Sequence, residues 1–220
     1  MNKLSTKSST SKAIISVAFC LLPLLIGLLL YSRLPEEIPV HFNFAGVPDS
    51  WWPRWKAITI IPLILTILDA IVLYGTLRDP QQNNITRPAM EFLYWLIPGM
   101  GLVIMSILYL YALQVPFQMD RLMCALLGLL LIFLGNILPK AKQNSVFGIR
   151  TSWSLQDPEN WIQSNRFASR LFILGGLISI LLAMFVSSQV LSIVLCFIIF
   201  GGAAIAPIFY SWWYARKHAS

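Results

Sequence analysis

Charge is what this chain has least of. Asp, Glu, Lys and Arg make up 11% of its 220 residues against 57% hydrophobic residues, and the mean hydropathy is +0.72. A soluble domain carries charge on roughly a quarter of its residues, so that class is excluded. The shortage is concentrated in blocks: 13–31, 92–119 and 171–215 contain no charged residue. One bilayer crossing takes roughly 20 apolar residues, and the last block is about twice that length. An integral membrane protein is predicted.

Cysteine is scarce as well. Cys20, Cys124 and Cys196 each lie inside an apolar block, with no CxxC and no neighbouring His, so they read as small apolar core residues. His41 lies near Glu36, Glu37 and Asp49, but a lone imidazole without a second nitrogen or sulfur ligand makes a poor metal site. A structural hydrogen bond or a recognition surface is the other reading. No nucleophile or metal constellation stands out, and no cofactor is expected. The net charge of +7 sits on loops and tails. That suits anionic lipid headgroups and argues against a nucleic-acid role, which needs a basic face on a folded domain.

The apolar material divides into six crossings, an all-α polytopic plan. A polar tail over 1–12 precedes a first helix at 13–31, which is long and lacks a small-residue cleavage site, so it reads as uncleaved. Further helices are predicted at 57–76, 91–113 and 121–138, the third bent by Pro98, Gly99 and Gly101. The 171–215 block must be two helices, cut at Ser187-Ser188-Gln189. Two three-helix halves result: 13–113 with the loop 32–56, and 114–220 with the loop 139–170. Twelve of the sixteen Lys and Arg residues fall on the tails and the even loops. By the positive-inside rule both termini and the 139–170 loop are cytoplasmic, and the 32–56 loop is outside.

In the outer loop Ile38, Val40, Phe42 and Phe44 alternate with Pro39, His41 and Asn43, the period of a short extended segment. Residues 45–49 carry turn chemistry, with Gly46, Pro48 and Asp49. Trp51, Trp52 and Trp55 suit the aromatic belt at the membrane surface. Asp69, inside the second helix, costs several kcal/mol at that depth unless neutral or paired. It reads either as a proton or ion relay or as a protonated or paired acid holding a polar atom of another helix, such as Asn136 or Ser106.

The inner loop holds five of the sixteen Lys and Arg residues. Asp157, Pro158 and Glu159 form a helix start: a capping carboxylate, Pro at the first helical position and acid in the first turn. The helix they open carries Trp161, Asn165 and Ala168 on one face and continues into the fifth crossing, with Arg166 and Arg170 at headgroup level. Such a stretch is either an interfacial anchor whose Arg side chains reach lipid phosphates or a docking surface.

The run N-S-V-F-G-I-R-T-S-W-S-L-Q-D-P-E-N-W-I-Q-S-N-R-F-A-S-R, with L-G-N-I-L-P-K before it, resembles the hallmark region of the SdpI-type immunity proteins of Gram-positive bacteria. The loop L-P-E-E-I-P-V-H-F-N-F-A-G-V-P-D resembles an uncharacterised N-terminal domain that often precedes it. The resemblance implies a multi-pass protein of the bacterial cell membrane that neutralises an exported peptide toxin, and that also captures a cytoplasmic autorepressor. It points to Asn136, Pro139, Asn144, Gly148, Arg150, Thr151, Trp153, Trp161, Asn165 and Arg166 inside, and to Pro39, His41, Asn43, Gly46 and Asp49 outside. Ser152 departs from the expected pattern, which has Pro there. The rival expectation is a transporter or lipid-acting membrane enzyme using Asp69, Arg150 and His41.

Both long loops begin Leu-Pro, and each has an Asn upstream of a Gly. Three crossings separate them, the spacing of a 3+3 inverted repeat.

Overall fold

Hydrocarbon offers backbone groups no water to bond, so an apolar run that crosses it must satisfy itself as a helix. The computed structural model describes residues 3–43, 46–186 and 188–218. Among these, six segments are long and apolar enough to cross a membrane: Ser9–Leu29, Arg54–Arg78, Arg87–Ala112, Arg121–Lys140, Pro158–Phe185 and Ile193–Lys217. The chain is a multi-pass membrane protein, and its described residues are all-α apart from one small hairpin.

The first crossing is built from two helices, α1 (Lys3–Phe19) and α2 (Leu22–Leu29). Pro23, in the first turn of α2, has no N–H to return to the carbonyl of Phe19, and the helix breaks there. Helix therefore starts within the stretch expected to be a polar tail. The hairpin follows, as β1 (Glu37–Phe42) and β2 (Pro48–Pro53), then α3 (Arg54–Arg78) and α4 (Arg87–Ala112). The second half consists of α5 (Met119–Ile137), the short α6 (Ser152–Gln156), α7 (Pro158–Phe185) and α8 (Gln189–Lys217). The expected cut in the last apolar block falls between α7 and α8. Ser187 lies outside the described residues.

The described residues form two compact units. One takes the chain to Asn43 with Val47–Asp79 and Met90–Pro116; the other is chiefly Phe117–Ser220. In the first, Leu34, Ile38, Ala57, Ile58, Met105, Leu108 and Tyr109 make a buried core, and Val40, Phe42 and Trp52 of the hairpin pack on it. β1 and β2 are antiparallel, with Ile38 opposite Trp52, and the register is irregular around His41. The sequence pattern reveals β1. It does not reveal β2, where the expected turn overran a second strand.

In the second unit α5 and α7 run very close. A Cβ on Gly128 would lie 2.7 Å from the Gly176 carbonyl oxygen, and one on Gly176 would lie 2.5 Å from that of Gly128. One turn-pair away Ser169 Oγ donates to the Gly135 carbonyl at 2.7 Å. Small residues and interhelical hydrogen bonds of this kind hold helices together in lipid, where no hydrophobic force separates them from the solvent.

Candidate functional site

The inner stretch is folded around the Asn144 side chain. Its amide nitrogen donates to the carbonyls of Lys142 (2.7 Å) and Phe147 (3.0 Å), and its oxygen accepts from the amides of Val146 (2.8 Å) and Phe147 (2.7 Å). Four bonds to one buried amide close the loop without regular structure. Gly148 then turns it with φ +128°, a conformation that L side chains rarely adopt.

α7 receives the loop. Asp157 caps it, accepting from the Glu159 amide at 2.9 Å, with Pro158 at the first position. Trp161 and Asn165, one turn apart, are buried together with Ala168. The Trp161 indole N–H donates to the Ala141 carbonyl at 2.8 Å. Asn165 accepts from the Ile149 amide at 3.0 Å and donates to the Trp161 carbonyl at 2.8 Å. Thr151 caps α6 in a capping box with Ser154. Ser152 is the first residue of α6, a position where Pro is favoured because its missing N–H would be unpaired anyway. Ser there forfeits stiffness and no functional group.

A second polar network, absent from the sequence reading, ties this assembly to α8. Thr151 Oγ1 lies 2.6 Å from Ser211 Oγ, which donates to Asn160 Oδ1 at 2.8 Å. Asn160 Nδ2 donates to the Ser211 carbonyl at 2.9 Å, and Ser164 Oγ donates to Asn160 Oδ1 at 2.8 Å. Asn160, Ser164 and Ser211 are buried. The one sequence signal was the polar pair Asn160 and Ser164 at i, i+4.

The inner motif therefore divides. Asn144, Thr151, Trp161 and Asn165 are buried scaffold and present no side chain to a partner. Arg150, Trp153, Arg166 and Pro139 are exposed, as are Lys140, Lys142 and Arg170. Arg150 donates to the Ser145 carbonyl. Asn136 is exposed, its amide donating to the Ile132 carbonyl one turn back at 3.0 Å. α7, with 28 residues, is about 42 Å long at 1.5 Å per residue, against a hydrocarbon core of roughly 30 Å. The helix exceeds it by about two turns, the length of 158–165.

The outer motif builds the hairpin. Asn43 closes the turn, its N–H donating to the Val47 carbonyl at 2.9 Å and its side-chain oxygen accepting from the Val47 amide at 3.0 Å. Gly46 has φ +70° and Pro39 is buried. His41 Nδ1 lies 2.5 Å from Asp49 Oδ1 across the two strands, both residues exposed. The hydrogen-bonding reading of His41 thus has a named partner. Among the described residues no group of three or more His, Cys, Asp or Glu is placed to hold a metal. Arg54 fastens the end of the hairpin to the turn that follows α2, donating to the carbonyls of Tyr31 (2.7 Å) and Leu34 (2.6 Å) with its guanidinium 4.2 Å over the Tyr31 ring. The three tryptophans are not equivalent. Trp52 turns toward the core with Lys56 over its ring, while Trp51 and Trp55 are exposed, as is Val47.

Asp69 is fully buried, and its partner is Ser16 of α1, whose Oγ lies 2.7 Å from Oδ2. The anticipated partners were wrong: Ser106 is exposed and Asn136 bonds within its own helix.

Residues 140–211 match the SdpI/YfhL protein family, and residues 18–66 match a domain of unknown function, DUF1648. The chain is 29% identical over 210 residues to "Immunity protein SdpI" of Bacillus subtilis (strain 168), covering 94% of this chain and 97% of that protein. It is 37% identical over 74 residues to an uncharacterized protein of Archaeoglobus fulgidus, covering 33% of this chain and 40% of that one. No solved structure matches. The segment matching SdpI/YfhL contains Asn144, the Gly148 turn, the capped α7 and Ser211, and the segment matching DUF1648 contains the whole hairpin. The chain is thus similar to the SdpI/YfhL family over 140–211 and to DUF1648 over 18–66, and to an SdpI immunity protein over nearly its whole length.

Proposed function

We propose that this protein confers immunity in the cell membrane, protecting the cell that carries it from a secreted peptide toxin or bacteriocin by binding it. The observation that carries the reading is the near full-length similarity to an immunity protein. The hairpin supports it: Val47, Trp51 and Trp55 stand exposed on a base made rigid by Arg54 and the buried core. Exposed aromatic side chains on a fixed support are the usual anchors of peptide and protein recognition. Binding of this kind requires no catalytic step.

A cytoplasmic role in holding a repressor would use the other exposed set, Arg150, Trp153 and Arg166, displayed by the buried Asn144, Trp161 and Asn165 scaffold. Expression in toxin-sensitive cells tests the main reading. Survival in the presence of the toxin is expected; killing despite correct membrane insertion would sink it. Repressor capture is tested separately, by membrane recruitment of a small DNA-binding protein that Arg150→Ala abolishes. Recruitment unaffected by that change, or absent, would remove the second role.

A further inference from the structure

Between α1, α3 and α4 lies a polar contact outside the hairpin surface proposed above. Pro98 sits inside α4, and a proline has no N–H for the carbonyl four residues back. The carbonyl it leaves over is that of Tyr94. Ser16 of α1 takes it, with Oγ 2.5 Å from that oxygen, and the same Oγ lies 2.7 Å from Asp69 Oδ2 on α3. Ser16 and Asp69 are both 0% exposed.

Hydrogen counting decides the arrangement. A serine hydroxyl has one hydrogen and a peptide carbonyl only accepts. With the Ser16 hydrogen on Tyr94, the contact to Asp69 needs a second hydrogen, or two sets of lone pairs face each other. Only the carboxyl can supply it.

Two further observations agree. Among the described residues Asp69 Oδ1 is buried without a hydrogen bond of normal geometry, the Cys20 thiol beside the carboxyl being only a weak donor; a neutral acid's carbonyl oxygen tolerates this far better than an ionised carboxylate does. Among the described residues no cation is paired with Asp69 either. The groups facing it are Ser16 of α1 and the buried Cys20 just after that helix, with the Tyr94 carbonyl of α4 on the far side of Ser16. Lys12, one turn along α1 from Ser16, is paired with Glu91 of α4.

We infer that Asp69 is an intramembrane proton-binding site: a neutral carboxylic acid whose Oδ2–H donates to Ser16 Oγ, while Ser16 donates to the Tyr94 carbonyl that Pro98 sets free. The ligand is a single proton, and holding it fastens three spans at one point. Removing it would leave Ser16 one hydrogen short and loosen α1 from either α3 or α4.

The test uses the full chain, labelled with carbon-13 aspartate, in phosphatidylcholine vesicles. Of five aspartates only Asp69 lies within an apolar run, so a labelled neutral-acid carbonyl band at neutral pH in the infrared spectrum reports it. The band is expected in the wild type and lost in Asp69→Asn. Carboxylate bands alone at neutral pH would overturn the inference without any variant having to fold. Stability gives a second readout. The Asn amide can donate as the acid O–H does, so Asp69→Asn should keep the wild-type melting temperature in detergent while Asp69→Ala and Ser16→Ala lower it. An Asp69→Asn protein as unstable as Asp69→Ala would count equally against it.

Discussion

A Cβ on Gly148 would lie 2.7 Å from two ring carbons of Trp161. The Gly148 turn and Trp161, the largest fully buried side chain among the described residues, thus occupy adjoining space. Gly148→Ala meets two penalties at once. The φ of +128° costs about 1–3 kcal/mol for a residue with a Cβ, and overpacking adds about 1–3 kcal/mol. The melting temperature in detergent should fall well below that of Arg150→Ala, two residues on, which removes an exposed side chain and its bond to the Ser145 carbonyl and should cost about 1 kcal/mol or less.

Asn144 is predicted to tolerate no near-isostere. Its nitrogen faces two carbonyls and its oxygen two amides. Asn144→Asp turns both donors into acceptors pointed at the Lys142 and Phe147 carbonyls. Leaving buried polar groups unmade costs about 1–3 kcal/mol each, so Asp should be at least as damaging as Ala despite its matching shape. Limited proteolysis of membrane vesicles, read at 142–149, should show both variants cut faster than wild type.

The sequence exposed some of this and hid the rest for identifiable reasons. The crossings were legible because uncharged runs of such length have few alternatives, and Asp157-Pro158-Glu159 because capping is a local code. The first strand showed through its alternation. The second did not: Trp51 and Trp52 are adjacent, prolines stand at both ends, and the strand exists through its pairing with β1. The motif arrived as one set of residues, and nothing in their spacing separated buried Asn144 and Trp161 from exposed Arg150 and Arg166. Asp69 was recognisable as costly, but its partner depended on how α1, α3 and α4 align, which spacing along one helix does not encode. Pro98 read as a bend and proved to be the source of a free carbonyl.

The outer face yields a prediction that rests on the immunity reading. Trp51 and Val47 are exposed, so Trp51→Ala and Val47→Asp should leave folding and insertion intact. Losing an aromatic anchor typically costs roughly 2 kcal/mol or more of binding, about thirtyfold in affinity. Cells expressing either variant should therefore die at toxin concentrations that wild-type cells survive, while Arg166→Ala cells survive. Full protection by Trp51→Ala, Val47→Asp and the double variant would remove the hairpin as the contact surface.

The close approach of α5 and α7 can be tested against an internal control. At Gly128 and Gly176 a methyl group would press on the opposite backbone carbonyl, and a backbone cannot rotate away as a side chain can. The helices must part, and packing is most of what joins them in lipid. At Gly201 and Gly202 of α8 an added methyl group would meet nothing within 4 Å, and replacing Gly by Ala in a helix interior favours the helix by about 1 kcal/mol. The same substitution should therefore have opposite signs: Gly128→Ala and Gly176→Ala lower the melting temperature in detergent, while Gly201→Ala and Gly202→Ala leave it unchanged or raise it. Four variants with equal shifts would mean that the α5 and α7 backbones do not meet as described.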